Sequence, residues 1–75
     1  MENSANHKRT DEDPSLTPQE RRVASLAARG LSNREIARNV GCSEGVVKLH
    51  LHRVYWKLGV QGRAGLIARV HSELK

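Results

Sequence analysis

Residues 31–58, LSNREIARNVGCSEGVVKLHLHRVYWKL, decide the fold of this 75-residue chain. The stretch predicts two helices joined by a tight Gly-Cys-Ser turn at residues 41–43. Apolar residues recur at helical spacing in both helices, and the inward stripes consist of Ile36, Ala37 and Val40 in the first and Val47, Leu51, Val54 and Leu58 in the second. The side chains left facing outward on the second helix are Lys48, Leu49, His52, Arg53 and Trp56. Such an outward face is usually only solvated surface, but the turn and the basic excess favour a helix-turn-helix that presents this helix to the DNA major groove.

Cap signals place a further helix before this stretch. Thr17 is the expected N-cap, Pro18 fits the first helical position, and Glu20 completes a capping box with Thr17. Gly30 is expected to end this helix in the left-handed conformation.

Four signals mark the ends of the next two helices, and a fourth helix follows them. Either Ser32 or Asn33 caps the second helix, which runs to about residue 40. Gly41 supplies a turn residue with positive φ, Ser43 caps the third helix, and Gly59 ends it. A fourth helix is expected over residues 63–72, and no strand signal is present.

The charge of the chain is unevenly distributed. Residues 1–15 carry two basic against four acidic side chains and almost nothing to bury, which predicts a disordered tail, an interdomain linker or an added segment. Residues 16–75, the expected folded domain, carry eleven Lys and Arg against four Glu, a net charge of +7. A polyanion is the natural partner of such a basic domain.

Composition argues against several other classes of protein. With one cysteine, Cys42, there is neither an intrachain disulfide nor a metal-binding cysteine pair, and a small apolar role in the turn is expected for it. His50 and His52 point away from each other on a helix, so no metal site is expected, and no cofactor or catalytic group is expected either. The absence of a long apolar run or a signal-peptide pattern indicates no membrane association and, by default, a cytoplasmic protein.

Several separated motifs keep their order and spacing and together resemble the LuxR-type helix-turn-helix family of transcriptional regulators, response regulators among them. They are Leu16-Thr17-x-x-Glu20-Arg21-x-Val23, Gly30-Leu31-Ser32-Asn33-x-Glu35-Ile36-Ala37, Ser43-Glu44-x-Val46-Val47-Lys48-x-His50, Lys57-Leu58-Gly59-Val60 and Arg63-Ala64. The resemblance covers about residues 16–72. It implies an all-α, four-helix LuxR-type bundle of the winged-helix-like DNA-binding class, without a sheet.

The resemblance also implies where the residues act on double-stranded DNA. In this family the third helix enters the major groove and the fourth forms a dimer on DNA. The positions matching its base-reading residues are Lys48, Leu49 and His52. The phosphate-contact candidates are Asn33, Arg34, Val46, Arg53 and Lys57. Val46 stands where the family usually has a hydroxyl residue, and a valine side chain cannot donate to a phosphate.

Residue chemistry gives each candidate a role and an alternative. Lys48 can donate to guanine O6 or N7 or sit on a phosphate, and the only specific use of Leu49 is apolar contact with a thymine methyl group. His52 reads a base edge, contacts a phosphate or is a plain surface histidine. Arg34 and Arg53 are expected phosphate clamps, each adding about one unit to the salt dependence of binding.

Two residues of the third helix receive other expectations. His50 is expected to pack partly inward and to brace the domain through a hydrogen bond. Trp56 departs from the family pattern, because members of the family usually have a polar or basic residue at this position. Packing on sugar and phosphate, support of a neighbouring protomer and shielding of the Tyr55 side of the core all stay open for it.

The fourth helix offers more apolar surface than one inward face needs. Leu66, Ile67 and Val70 are the dimer-interface candidates, and Leu74 adds to this surface. Gly65 within the helix indicates close approach or weak helicity. We expect a homodimer on DNA and a monomer free in solution.

Sequence-specific binding of duplex DNA for transcriptional regulation, with RNA polymerase as a further partner, is therefore the expected function. A protein-interaction module that kept the fold but lost DNA binding is the alternative, favoured by Val46 and Trp56. A sigma-type promoter-recognition domain shares the helix pair, but the Lys57-Leu58-Gly59-Val60 ending argues against it.

Overall fold

The computed structural model describes residues 13–73, and within this range it contains four helices and no strand. The helices are α1, Pro18–Ala28; α2, Asn33–Val40; α3, Glu44–Leu58; and α4, Arg63–Glu73. The predicted all-α, four-helix fold is confirmed. None of the described helices is long and apolar enough to cross a membrane.

The first two helices each begin with a complete capping box. In α1, Thr17 Oγ1 accepts from the Glu20 N–H at 3.1 Å, while Glu20 Oε1 accepts from the Thr17 N–H at 2.9 Å. In α2, Ser32 and Glu35 make the same reciprocal pair, at 3.1 and 2.8 Å. The N-cap of α2 is therefore Ser32 rather than Asn33. Each box satisfies backbone donors that a helix N-terminus otherwise leaves unpaired.

A short turn connects α2 to α3, as the sequence predicts. Gly41 has φ of 76°, a left-handed conformation that favours glycine, and its N–H donates to Ala37 O at 2.9 Å. Ser43 then caps α3, its Oγ accepting from the Val46 N–H at 3.2 Å. These bonds define where α2 ends and where α3 begins.

The core lies between α1 and the other three helices. Helix α1 packs against α2, α3 and α4, and α2 packs against α3. The buried residues are Leu16, Val23, Ala24, Ala27, Ile36, Ala37, Val47, Leu51, Val54, Leu58 and Leu66. Both inward stripes predicted for α2 and α3 are confirmed, with Val40 at the partly buried edge. Burial of these mostly aliphatic side chains is the main stabilising term of so small a domain.

Leu66 corrects one expectation for α4. Its side chain is fully buried within the domain, so it is a core residue and not part of a dimer surface. Apolar residues occupy more than one side of α4, and helical periodicity alone does not tell which side faces inward. Ile67 and Val70 are partly exposed, whereas Leu74 lies outside the described residues.

The glycine in α4 marks a close approach within the domain. A Cβ added to Gly65 would lie 3.1 Å from Val60 Cβ, tighter than most side-chain contacts. Of the two expectations for Gly65, close approach is therefore confirmed, and the neighbour is the loop between α3 and α4.

A short turn precedes residue 16. Residues 13–15, expected to belong to a disordered tail, form a turn in which Asp13 Oδ1 accepts from the Ser15 N–H at 2.8 Å. Leu16 N–H then donates to Asp13 O at 3.2 Å. The expectation for the rest of the tail concerns residues 1–12, which lie outside the described residues.

Candidate nucleic-acid interface

The outer face of α3 is made of the side chains that the sequence leaves outward. Lys48, Leu49, His52, Arg53 and Trp56 are all exposed, Trp56 to 83% of its surface. Because the opposite stripe of α3 is buried against α1 and α2, the rotation of the helix about its own axis is fixed. The predicted outward orientation of these five residues is confirmed.

A buried ion pair holds the C-terminal half of α3 against the start of α1. Lys57 Nζ lies 2.7 Å from Glu20 Oε1 and also donates to Ser15 O at 2.9 Å. The Glu20 side chain is only 2% exposed, so burial raises its pKa. The bonds from Lys57 and Thr17 outweigh that effect, so the pKa of Glu20 lies below 4.5 and the carboxylate is charged at neutral pH.

This ion pair engages Lys57, one of the phosphate-contact candidates. Two of the three N–H bonds of its ammonium already have partners on the N-terminal side of the domain. Its contact with a phosphate stays a prediction, whereas the residue braces α3 against the start of α1. Sequence spacing could not reveal this, because Glu20 and Lys57 lie 37 residues apart.

Val46 is another of the phosphate-contact candidates. Its side chain is 39% exposed but has no polar atom, and its backbone N–H donates to Ser43 Oγ. Neither the side chain nor the amide is therefore available to a phosphate.

The start of α2 brings two further candidates toward the start of α3. Asn33 and Arg34 line one surface depression together with Glu44, the first residue of α3. Arg34 is exposed, whereas Asn33 Oδ1 accepts a hydrogen bond from Arg63 Nη2. That bond fixes the amide so that its NH₂ group faces away from Arg63 and is the donor that remains for a ligand.

Arg63 is a positioning residue whose role the sequence analysis missed. Besides Asn33, its guanidinium donates to Leu31 O at 2.8 Å and to Ala27 O at 3.4 Å. It therefore ties the start of α4 to the loop between α1 and α2. The only signal in the sequence was the Arg63-Ala64 motif of the family resemblance.

The structure also shows the environments of Cys42, His50 and Trp56, for which the sequence analysis states separate expectations. Cys42 is partly buried against the core, in line with an apolar role. His50 Nδ1 is buried without a hydrogen-bond partner among the described residues, so the expected bracing bond is not made by that atom. The 83% exposure of Trp56 excludes the option that it shields the core. Within residues 13–73, no three His, Cys, Asp or Glu side chains form a group that could hold a metal ion.

The sequence of this domain matches those of known proteins. The model of the family described as bacterial regulatory proteins, luxR family, matches residues 14–70. The chain belongs to the luxR family. Its members are helix-turn-helix transcriptional regulators that bind double-stranded DNA.

Relatives from three bacteria show how much of each protein is shared. A helix-turn-helix-type transcriptional regulator of Mycobacterium tuberculosis is 47% identical over 53 residues, which is 71% of this chain and 6% of the relative. The nitrate/nitrite response regulator protein NarL of Escherichia coli is 37% identical over 70 residues, covering 92% of this chain and 32% of NarL. The tetrathionate response regulatory protein TtrR of Salmonella typhimurium is 44% identical over 54 residues, covering 72% and 26%. This luxR-family chain thus spans a third or less of these relatives.

Proposed function

We propose that this luxR-family chain binds double-stranded DNA with α3 in the major groove and thereby regulates transcription. The observation that carries the proposal is the outer face of α3, where Lys48, His52 and Arg53 are exposed on a helix whose other side is buried. A helix held in this way can enter the groove, which admits a single α-helix, without any change in the fold.

The proposed contacts divide into two groups. Lys48, Leu49 and His52 are the base-reading candidates on α3. Arg53 on α3 and Arg34 on α2 are the phosphate clamps, and Asn33 adds an uncharged donor beside Arg34. Phosphate contacts of this kind fix orientation, whereas sequence is read by base edges in the groove.

The proposal includes a homodimer that assembles on DNA through α4. Ile67 and Val70 remain as candidates, because both are partly exposed on α4 while Leu66 is occupied in the core. A monomer is expected free in solution. The site of action is the cytoplasm, where RNA polymerase is the further partner that transcriptional regulation requires.

A titration of a fluorescently labelled mixed-sequence duplex at several salt concentrations tests the DNA-binding proposal. Binding should weaken steeply with salt, with a log–log slope of about 0.9 per neutralised phosphate. Arg53→Ala should lower that slope by about one unit and weaken binding, and Lys48→Ala should weaken binding as well.

Arg29→Ala is the matched control, because it removes one exposed positive charge at the end of α1, outside the proposed contact set. It should leave affinity close to that of the unchanged protein. No binding at low salt would reject the proposal and favour a protein-interaction module. Equal losses in Arg29→Ala and Arg53→Ala would show that only net charge matters and would reject the assignment of α3.

A further inference from the structure

The exposed large hydrophobic side chains of the described residues all lie on α3. They are Val46, Leu49 and Trp56, at 39%, 49% and 83% exposure. Leu49 and Trp56 are seven residues apart, about two helical turns, so they share one line along the helix. That line is opposite the buried stripe of α3, so it is the part of the helix that would reach deepest into a groove.

Basic side chains flank this line on both sides. At about 100° per residue, Lys48 lies to one side of Leu49 and Trp56, and Arg53 lies to the other. Across the outer face of α3, an apolar line therefore lies between two basic edges. The major groove offers a matching arrangement, since two phosphate backbones border a floor on which thymine exposes its 5-methyl group.

Gly45 extends the same line toward the start of α3. It has no positive φ, and the nearest described atom that an added Cβ would meet is Ser43 Oγ at an ordinary 3.8 Å. Nothing within the domain thus requires glycine at this position, although glycine weakens a helix. A missing side chain here lets the backbone of α3 approach a ligand closely.

From these observations we infer that α3 reads DNA by apolar contact between Leu49 and Trp56 and the 5-methyl groups of thymine. The protein thereby prefers sites with thymine to otherwise identical sites that lack the methyl. Leu49 and Trp56 are about 10.5 Å apart along the helix, roughly the rise of three base pairs. This inference rests on the proposed function and names the class of site that the function selects.

Charge complementarity favours DNA over a protein as the occupant of this face. An apolar protein surface that covered Leu49 and Trp56 would also cover Lys48 and Arg53. It would leave these cations without partners, which is strongly unfavourable. Phosphates on both sides of the groove pair with the cations while the apolar line meets the bases.

The test compares two labelled duplexes of about two helical turns, one of alternating dA and dT and one in which dU replaces every dT. Uracil keeps the pairing and the O4 acceptor of thymine and lacks only the methyl. At one fixed salt concentration, the protein should bind the thymine duplex about tenfold more tightly, equivalent to about 1.4 kcal/mol. Leu49→Ala and Trp56→Ala should each reduce this preference, and the double variant should bind both duplexes equally.

Arg53→Ala is the control, since it should weaken binding to both duplexes by the same factor and keep the preference. Trp56 is the single tryptophan of the chain, so its fluorescence reports on this site alone. Bound thymine duplex should protect it from acrylamide quenching.

Equal affinity of the unchanged protein for the two duplexes, or full acrylamide access to Trp56 in the complex, would overturn the inference and leave DNA binding in place. A preference that persists in the double variant would assign it to DNA shape and overturn the inference too. Absence of binding to either duplex at low salt would overturn both this inference and the proposed function.

Discussion

At the scale of single residues, the ion pair between Lys57 and Glu20 links the end of the exposed helix to the start of the domain. Glu20 serves two purposes, since the same carboxylate caps α1 and pairs with Lys57. The two partners differ in burial, with 26% of the Lys57 side chain exposed against 2% for Glu20. Removing Lys57 and removing the charge of Glu20 should therefore lower the stability of the domain by different amounts.

We expect Lys57→Met to destabilise the domain more than Glu20→Gln at neutral pH. Lys57→Met leaves a buried carboxylate without its cation and should lower the free energy of unfolding by about 3 kcal/mol. Glu20→Gln leaves an ammonium that reaches water and a side chain that still suits a capping box, so a loss of about 1 kcal/mol is expected. Chemical denaturation monitored by circular dichroism measures both values. Equal losses would contradict this account of the pair.

The pH dependence follows from the direction of the shift. Because the folded-state pKa of Glu20 is below 4.5, its contribution to stability is complete above that pH and is lost as pH falls through the folded-state pKa. The difference in stability between the unchanged protein and Lys57→Met should therefore shrink in acid. A difference that stays constant from neutral pH down to acid would show that the pair does not act through the charge of Glu20.

At the scale of helices, the local sequence predicted most boundaries because caps are local interactions. Thr17 with Glu20, Gly41 and Ser43 each occupy their expected places, since every partner lies within four residues. Ser32 and Asn33 were both reasonable caps for α2, and the reciprocal bond with Glu35 distinguishes them. The hydrogen bonds of Lys57 and Arg63 could not be predicted, because their partners lie 30 to 42 residues away and depend on how the helices pack.

Replacing Gly45, near the start of α3, should affect both the stability of the domain and its binding to DNA. Gly45→Ala should raise the free energy of unfolding by about 0.5–1 kcal/mol, since alanine favours the helix and the added Cβ meets no crowding. The same change should weaken DNA binding, because it places a methyl group between α3 and the groove. Thermal unfolding and anisotropy titration, run on the same preparation, give the two effects. An alanine variant that is more stable and binds as tightly would show that close approach at Gly45 is not needed.

At the scale of the whole molecule, α1 is the helix against which both α3 and α4 pack. Leu66 fills the core between α4 and α1, so α4 has less free apolar surface than its sequence indicates. Ile67 and Val70 are the partly exposed candidates for the proposed two-fold contact, and Val70 also packs against the edge of the core. This explains the expectation of a monomer in solution, because a small apolar patch gains stability as an interface only when DNA holds two copies together.

Ile67→Glu tests the proposed dimer. Like charges facing each other across a two-fold axis should reduce the number of protein copies bound cooperatively per duplex, while binding of a single copy continues. Analytical ultracentrifugation of the complex measures the stoichiometry, and circular dichroism confirms that the variant is folded. Unchanged cooperative binding of two copies would exclude Ile67 from the interface.

The most direct measurement of the central claim is a dimethyl sulfate footprint on a duplex bound by the protein. This reagent methylates guanine N7 in the major groove and adenine N3 in the minor groove, so one reaction reports on both sides of the duplex. With α3 in the major groove, guanine N7 should be protected, adenine N3 should stay reactive, and Lys48→Ala with Arg53→Ala should remove the protection. Protection of adenine N3 with full reactivity of guanine N7 would contradict the placement of α3 in the major groove.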